Sequence, residues 1–132
     1  MKYLIYASTR TCTDDELIDI YKVARAFNSE KDITGILLYS ADNFVQYLEG
    51  EYEPLNSLYH DKILKDNRHK DVRLLVFEDH KKRYFSEWSM GRKEVNNKQI
   101  EFFETFDGQI KIKEDFTEID EGTQKLLDLW EG

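Results

Sequence analysis

The 132-residue sequence is poor in cysteine, glycine and basic charge. Its single cysteine, Cys12, excludes an internal disulfide framework and a thiolate metal cluster, so we expect an intracellular, cytoplasmic protein. The six glycines are scattered, and none forms a glycine-rich phosphate loop. With 19 basic against 27 acidic side chains, the net charge is −8, which argues against nonspecific binding to nucleic acids or anionic membranes.

Membrane-spanning segments and catalytic signatures are also missing. No segment approaches the roughly 20 apolar residues that a membrane-spanning helix needs. There is no GxSxG motif, and the histidines His60, His69 and His80 lack the spacing of metal ligands. We interpret each histidine as a surface or helix-capping residue. The sequence therefore predicts neither an enzyme nor a metal site.

Hydrophobic residues make up 40% of the chain and aromatic residues 14%, enough for the core of one domain. Alternating patterns predict strands at residues 3–8, 33–40, 44–49, 72–78 and 84–90. A capping box that starts at Thr13 predicts a helix to about Asn28, and Pro54 suits the first position of a second helix. The order β-α-β-β-α-β-β predicts an α+β, ferredoxin-like sheet with two helices on one face.

The last 39 residues contain many aromatic side chains. They predict a short helix or irregular segment near residues 100–106, a brief strand at 109–113 and a helix at 123–130. Such a segment should cover the exposed sheet face or a second subunit. We therefore expect residues 1–93 to form the main domain and residues 94–132 a C-terminal extension that serves as a cap, a signal output or an oligomerisation element.

Gln46 is a polar residue on an apolar strand face. Phe44, Gln46 and Leu48 alternate along one strand and so share a face. A buried amide without partners costs roughly 1–3 kcal/mol, so the fold should supply partners for Gln46. The partners are either protein groups or a bound polar ligand. For an isolated glutamine in a strand, a hydrogen bond to a backbone group or to water at the edge of the sheet is the simpler explanation of how its amide is satisfied.

Other polar positions converge on the same region in this topology. Tyr6 falls on a neighbouring strand, Asn28 ends the first helix, and the run DNRH at residues 66–69 ends the second. A cleft between the helices could hold a planar heteroaromatic ligand, with a phosphate near the end of the second helix. Each residue alone has a structural explanation, but together they favour a ligand site.

Six short motifs occur in one order along the first 93 residues. They are LIYAS at 4–8, Asn28 followed by ITGILLY at 33–39, FVQYLEG at 44–50, DNRH at 66–69, RYF at 83–85 and WSM at 88–90. With these motifs the chain resembles BLUF domains, the flavin-binding sensors of blue light. The resemblance covers about residues 2–93.

The resemblance implies a noncovalently bound flavin, FAD or FMN, between the two helices. Tyr6 corresponds to the electron and proton donor, Gln46 to the amide that bridges this tyrosine and the flavin, and Asn28 to the partner of the flavin's pyrimidine ring. Ile20 and Ile63 match positions that flank the ring. Positions at the ring edge, ribityl chain or phosphate correspond to Lys62, Asp66, Arg68 and His69. Trp88 and Met90 match the strand positions that transmit the signal.

Two departures from the family pattern stand out: Phe27 replaces a residue that is polar in many members, and the second helix has one extra residue near Asp61. Because no output domain follows, we expect a short, stand-alone photoreceptor that signals to an unidentified protein partner. Self-association is expected, with a dimer as the default. The alternative is a light-independent ferredoxin-like module that binds small molecules or proteins and has no chromophore.

Overall fold

Seven strands and four α-helices are found in the described part of the chain, which comprises residues 1–104, 106, 110–112 and 118–131 of a computed structural model. The first half contains β1 (Lys2–Arg10), α1 (Asp14–Glu30), β2 (Thr34–Tyr39), β3 (Asn43–Gly50), α2 (Tyr52–Ser57) and a π-helix (Leu58–Ile63). The second half contains β4 (His69–Asp79), β5 (Gly91–Glu94), α3 (Asn97–Ile100), a 3-10 helix (Glu101–Glu104), β6 (Ile110–Ile112), β7 (Glu118–Asp120) and α4 (Glu121–Glu131).

The first five strands form one sheet in the order β4-β1-β3-β2-β5. β3 pairs antiparallel with β1 and β2, β4 pairs antiparallel with β1, and β5 runs parallel to β2. The register places Tyr6 directly opposite Gln46 on the two central strands. This topology confirms the predicted ferredoxin-like α+β fold, with β5 added at one edge.

α1 begins at the predicted capping box. The Thr13 hydroxyl accepts a hydrogen bond from the Glu16 backbone N–H, and the Glu16 carboxylate accepts one from the Thr13 N–H. At the other end, Asn28 is fully buried, and its carbonyl accepts a hydrogen bond from Ile33 at 2.8 Å as the chain turns into β2. The helix therefore holds the Asn28 side chain against the sheet.

The second helix begins at Tyr52, so Pro54 occupies its third position and not the predicted first. After Ser57 the helix widens into the π-helix, where the Leu64 N–H donates to the Tyr59 carbonyl at 3.0 Å. A hydrogen bond to the fifth preceding residue encloses one more residue than an α-helical turn. The π-helix lies where one extra residue was predicted, near Asp61. The apolar side chains of the second helix are buried, namely Leu55, Leu58, Tyr59 and Ile63.

The strand predicted at residues 84–90 is wrong. Residues 80–90 form a loop (the 80–90 loop), and the strand begins only at Gly91. The backbone N–H groups of Tyr84 and Phe85 donate to the Glu49 carboxylate and not to a neighbouring strand. Trp88 is 45% exposed and Met90 only 2%, so the two residues do not share an environment as alternate residues of one strand face would.

The described residues of the C-terminal extension pack on the sheet face opposite α1 and α2. This is the first of the two arrangements predicted for the extension, the other being contact with a second subunit. Its residues Ile100, Phe103 and Leu126 join a buried cluster with sheet residues such as Ile5 and Tyr47. The predicted terminal helix corresponds to α4, the irregular segment to α3 and the 3-10 helix, and the brief strand to β6. Residues 109 and 113 of that predicted strand lie outside the described residues.

Both sheet faces are therefore covered. As a consequence, the prediction for the environment of one histidine is wrong. His80 was predicted to be a surface or capping residue, but its side chain is 9% exposed and lies 3.0 Å from the Tyr47 hydroxyl. Its ring also packs on Tyr3 and Tyr84. Among the described residues, none of the helices has the length and apolar character needed to cross a bilayer.

Candidate functional site

A cavity of about 540 Å³ lies between α1 and the π-helix, above the sheet face that contains Gln46. Its walls include every residue predicted to contact the ligand: Tyr6, Ile20, Asn28, Gln46, Lys62, Ile63, Asp66, Arg68 and His69. Met90 lines it as well, whereas Trp88 does not. The predicted cleft between the two helices is thus present, and the sequence-distant polar residues meet in it.

Gln46 finds protein partners on both sides of its amide. The Tyr6 hydroxyl donates a hydrogen bond to the Gln46 Oε1 atom. The Gln46 Nε2 atom donates to the Met90 sulfur at 3.3 Å. These two contacts form a continuous chain from phenol to amide to thioether along the cavity floor, and they remove the penalty of burying a polar residue among apolar neighbours.

The environment of Tyr6 keeps its phenol neutral. Burial raises the pKa of Tyr6 above the ordinary tyrosine value, and the negative charge of Asp66 raises it further. The proton of the hydroxyl therefore stays in place over the physiological pH range, available for the hydrogen bond to Gln46.

Asn28 has an incompletely satisfied side chain. Its Nδ2 atom donates to the Ser89 carbonyl at 2.9 Å, but its buried Oδ1 atom has no hydrogen-bond partner among the described residues. Leaving such an acceptor unpaired costs about 1–3 kcal/mol. Because Asn28 lines the cavity, this oxygen fits a ligand that has an N–H donor, such as the pyrimidine ring of a flavin.

Charged groups cluster at the end of the cavity near the second helix. The Arg68 guanidinium forms two hydrogen bonds to the Asp66 carboxylate, at 2.9 and 2.8 Å, and this contact lowers the pKa of Asp66. His69 lies 2.7 Å from both the Ser8 hydroxyl and the Ile63 carbonyl. Because a carbonyl only accepts, the His69 Nε2 atom must have a proton.

Comparison with known proteins agrees with this geometry. Residues 1–91 match the sequence profile of the family described as "BLUF: Sensors of blue-light using FAD". The chain belongs to the BLUF family. This membership confirms the predicted function, a sensor of blue light, and the predicted flavin cofactor, with FAD named in the family description.

The chain is also similar to individual BLUF proteins. It is 33% identical over 101 residues to the photoactivated adenylate cyclase subunit alpha of Euglena gracilis, covering 74% of this chain and 10% of that protein. The solved structure of the BlsA photo-activated state is 36% identical, covers 77% of this chain and 75% of that one, and has a TM-score of 0.68. The dark-state structure of BlrB, a BLUF protein, is 26% identical over 97% of this chain and 83% of that one, also at 0.68.

The chain therefore spans about a tenth of the length of the Euglena cyclase subunit. Its match to the family is a match to the sensor domain, with residues 92–132 beyond it. Among the described residues, no group of His, Cys, Asp or Glu side chains is arranged to hold a metal ion.

Of the two residues predicted to transmit the signal, Met90 is the one beside Gln46. Trp88 lies on the outside of the 80–90 loop, where its ring makes an edge contact with Trp130 of α4 at a centroid distance of 5.7 Å. The loop therefore has Met90 and the Ser89 carbonyl on its cavity side and Trp88 on the side of the extension.

A contact between Lys62 and Phe27 lies at the rim of the cavity. The Lys62 Nζ atom, on the π-helix, lies 4.7 Å from the centre of the Phe27 ring on α1. Both residues line the cavity, so this cation–π contact joins its two helical walls.

Several lining residues were not predicted as site residues. Tyr21, Ala24 and Phe27 form an apolar stripe at helical spacing on α1, which packs against the core cluster and also lines the cavity. Lys65 and Asn67 lie at its charged end. The stripe was a usable signal, but a helix that faces a ligand has the same periodicity as one that faces a core.

Proposed function

We propose that this BLUF domain holds its flavin noncovalently in the cavity between α1 and the π-helix, with Tyr6 and Gln46 as the photoactive pair. The observation that supports this most directly is the Tyr6–Gln46–Met90 hydrogen-bond chain beside the unpaired Asn28 oxygen, all on one cavity. FAD, with FMN as the alternative, is the cofactor.

Each group of residues that lines the cavity has a separate role in flavin binding. Asn28 accepts the hydrogen bond of a ring N–H through its Oδ1 atom. Ile20 on α1 and Ile63 on the π-helix both line the cavity, and their role is to pack against the flavin ring. At the charged end, the groups that hold the ribityl chain and phosphate are Lys62, Asp66, Arg68 and His69.

Bound flavin absorbs blue light and, when excited, is a strong acceptor of one electron. With flavin bound, Tyr6 would supply the electron together with its proton, and no charge would be left on the buried phenol because the group starts neutral. Both would return to Tyr6 before the long-lived state is reached, so that the flavin is oxidised again. The pair is therefore reversible without any outside reductant.

Gln46 converts this transient transfer into a longer-lived rearrangement. In the structure its oxygen faces Tyr6 and its nitrogen faces Met90, and we assign this arrangement to the dark state. Rotation or tautomerisation of the amide reverses the donors and acceptors that Tyr6 and the flavin meet. A rotated amide would face the Met90 sulfur with an oxygen, and since a thioether has no proton to donate, that hydrogen bond is lost.

The loss of the Met90 bond gives the signal a route to the extension. Met90 and Trp88 belong to the same loop, and Trp88 contacts Trp130 on α4. Residues 94–132 then act as the output that a downstream protein partner reads, with the chain functioning as a sensor and not as an enzyme. A dimer is the proposed assembly.

An absorbance spectrum tests the proposal. Purified protein should be yellow, and blue light should cause a small, reversible red shift, since the hydrogen bonds at the flavin carbonyl change. Release of the cofactor by denaturation, followed by chromatography, distinguishes FAD from FMN. Colourless protein that also fails to take up either flavin would refute flavin binding.

Tyr6→Phe tests the photoactive pair. The variant lacks the hydroxyl that donates to Gln46 and should retain flavin, because the aromatic ring still fills its place in the wall. It should not form the red-shifted state. A normal photocycle in this variant would remove Tyr6 from the mechanism.

A further inference from the structure

Glu49 is a fully buried carboxylate on the same strand as Gln46, but it points to the opposite sheet face. It accepts hydrogen bonds from the backbone N–H groups of Tyr84 and Phe85, at 2.9 and 2.8 Å, and from the Thr34 hydroxyl at 2.9 Å. A buried charge is tolerated only when it is paired or hydrogen-bonded to this extent. Both of its oxygens are thus used, and two of the three donors belong to the 80–90 loop.

A cation completes this anchor. The Arg83 guanidinium donates to the Thr34 hydroxyl at 2.8 Å and to the Glu49 backbone carbonyl at 3.2 Å. The Thr34 hydroxyl therefore accepts from Arg83 and donates to the Glu49 carboxylate. The proposed light switch uses only Gln46 of the motifs ITGILLY, FVQYLEG and RYF. The cluster contains Thr34 of the first motif, Glu49 of the second and all three residues of the third.

The other end of the 80–90 loop holds the partners of both cavity amides. The Ser89 carbonyl accepts from Asn28, and the Met90 sulfur accepts from Gln46. The loop is fixed between these ends by the Gly35 N–H, which donates to the Trp88 carbonyl at 2.9 Å. Whatever holds the loop therefore sets where Asn28 and Gln46 find their hydrogen-bond partners.

We propose that Glu49 is a positioning residue for the light switch: from the far face of the sheet it holds the 80–90 loop, and through the loop it holds Ser89 and Met90 against Asn28 and Gln46. The proposal rests on the proposed function of this site. With the anchor intact, the rotated amide meets a fixed Met90. Without the hydrogen bonds from Glu49, the 80–90 loop moves more easily. The energy barrier between the two arrangements of the Gln46 amide is then lower.

The test compares Glu49→Gln and Thr34→Val with the unmodified protein, all loaded with flavin. Glu49→Gln retains the shape of the side chain but removes the charge that three donors share. Thr34→Val retains the carboxylate and removes the hydroxyl that donates to Glu49 and accepts from Arg83. Glu51→Gln is the matched control, because it is the same change at an exposed acidic residue two positions further on. The rate of return from the red-shifted state in the dark is measured for each protein.

We expect Glu49→Gln to recover roughly tenfold faster, because hydrogen bonds to a charged group are lost. Thr34→Val should change the rate in the same direction by less, and Glu51→Gln should not change it. Amide hydrogen exchange at Trp88 should also be faster in Glu49→Gln. A purely structural role would lower the unfolding temperature and leave the recovery rate unchanged.

Two results overturn different claims. If the unmodified protein shows no red shift, the proposed function fails, and this inference fails with it. If the unmodified protein cycles but Glu49→Gln and Thr34→Val both recover at its rate, only the role of Glu49 is refuted. Should Glu49→Gln not fold, Thr34→Val alone decides in the same way, since it retains the carboxylate.

Discussion

Gln46 is held by two partners that differ in what they offer, a phenol that donates and a thioether that accepts. Gln46→Leu fills the same space with an apolar group and offers neither contact. We expect this variant to fold and to bind flavin but to show no red shift. It should also lose about 1–3 kcal/mol of stability, because the buried Tyr6 hydroxyl loses its acceptor.

Absorbance spectra before and after blue light check this prediction, and urea unfolding gives the stability. Met90→Leu serves as the graded comparison, since it removes only the acceptor on the nitrogen side and leaves the contact between Tyr6 and Gln46. That variant should retain a red shift and change only its dark recovery. A red shift in Gln46→Leu would contradict the proposed switch.

The buried tyrosines also predict how stability depends on pH. Burial raises the pKa of Tyr6 above its ordinary value, and the pKa values of Tyr3 and Tyr47 are raised for the same first reason. Above about pH 10 these groups ionise in the unfolded chain before they ionise in the folded one. Stability is therefore retained below that pH and falls as the pH rises towards the higher folded pKa.

Each such tyrosine should contribute a loss of up to about 1.4 kcal/mol per pH unit in this window. Urea unfolding at several pH values from about 9 to 11 measures the slope. Tyr6→Phe should have a shallower slope than the unmodified protein, while Tyr3 and Tyr47 still contribute theirs. Equal slopes would show that Tyr6 is not protected from ionisation.

For single residues, the sequence was informative where a residue type is unusual for its position on a helix or strand. Tyr6 and Gln46 were predicted because polar groups on apolar strand faces require partners, and Asn28 because it ends the first helix near them. All three line the cavity. Tyr21 was not predicted as a site residue, because an aromatic residue in a helical stripe suits a core as well as a ligand. The pattern fixes the face of the helix but not what the face contacts.

The π-helix and α1 are joined at the cavity rim by Lys62 and Phe27. An exposed cation–π contact contributes about 0.5–1 kcal/mol. If the contact limits opening of the rim, Lys62→Met and Phe27→Leu should each speed flavin release by roughly two- to fivefold. The double variant should release flavin no faster than the more affected single variant, because both changes break one contact.

Flavin fluorescence after dilution measures the release rate, since free flavin is the species that accumulates. Lys65→Met is the matched control, being the same substitution at another lysine that lines the cavity. Additive effects in the double variant would show that Lys62 and Phe27 act separately. An unchanged rate in all three variants would show that the rim does not control release.

Among the elements, the strand predicted at residues 84–90 shows where pattern reasoning fails. Trp88 and Met90 alternate as residues of a strand do, but in the structure one contacts α4 and the other the cavity. The 80–90 loop is stable without strand pairing because the distant Glu49 carboxylate accepts hydrogen bonds from two of its backbone N–H groups. No local pattern reveals a hydrogen bond between residues so far apart in the sequence.

The whole molecule has three layers, with the sheet between the cavity-bearing helices and the extension. Asp120 connects the sheet and the extension: it accepts a hydrogen bond from the Tyr3 hydroxyl and caps α4 through the Thr123 N–H at 2.8 Å. Asp120→Asn weakens both contacts. We expect a loss of about 1–3 kcal/mol and faster proteolysis of the extension.

Flavin affinity should be unchanged in Asp120→Asn, because the residue lies on the face opposite the cavity. Urea unfolding, limited proteolysis and a flavin titration measure the three quantities. Asp128→Asn is a control on the exposed side of the same helix, where the carboxylate contacts Gln124. A loss of flavin binding in Asp120→Asn alone would show that the extension shapes the cavity directly.

The covering of both faces explains why the extension was predicted only in outline. Its aromatic content indicated that it packs on something, and its helix was placed within two residues at its start and one at its end. Its position could not be deduced, because strands buried on both sides lack the contrast between an apolar and a polar face. Alternation places Tyr47 and Gln46 on opposite faces, but only the assembled sheet shows that the extension covers the face of Tyr47.

Gly91, the first residue of β5, lies directly beneath the ring of Trp130. A Cβ atom there would come within 2.7 Å of the Trp130 Cη2 atom. One methyl group at this position would therefore press α4 outward, and a larger side chain would press it further. In a fusion protein with an effector at the end of α4, replacing Gly91 by residues of increasing size would displace α4 by increasing amounts. The packing of α4 on the sheet could thus be weakened in steps without replacing any residue that lines the cavity.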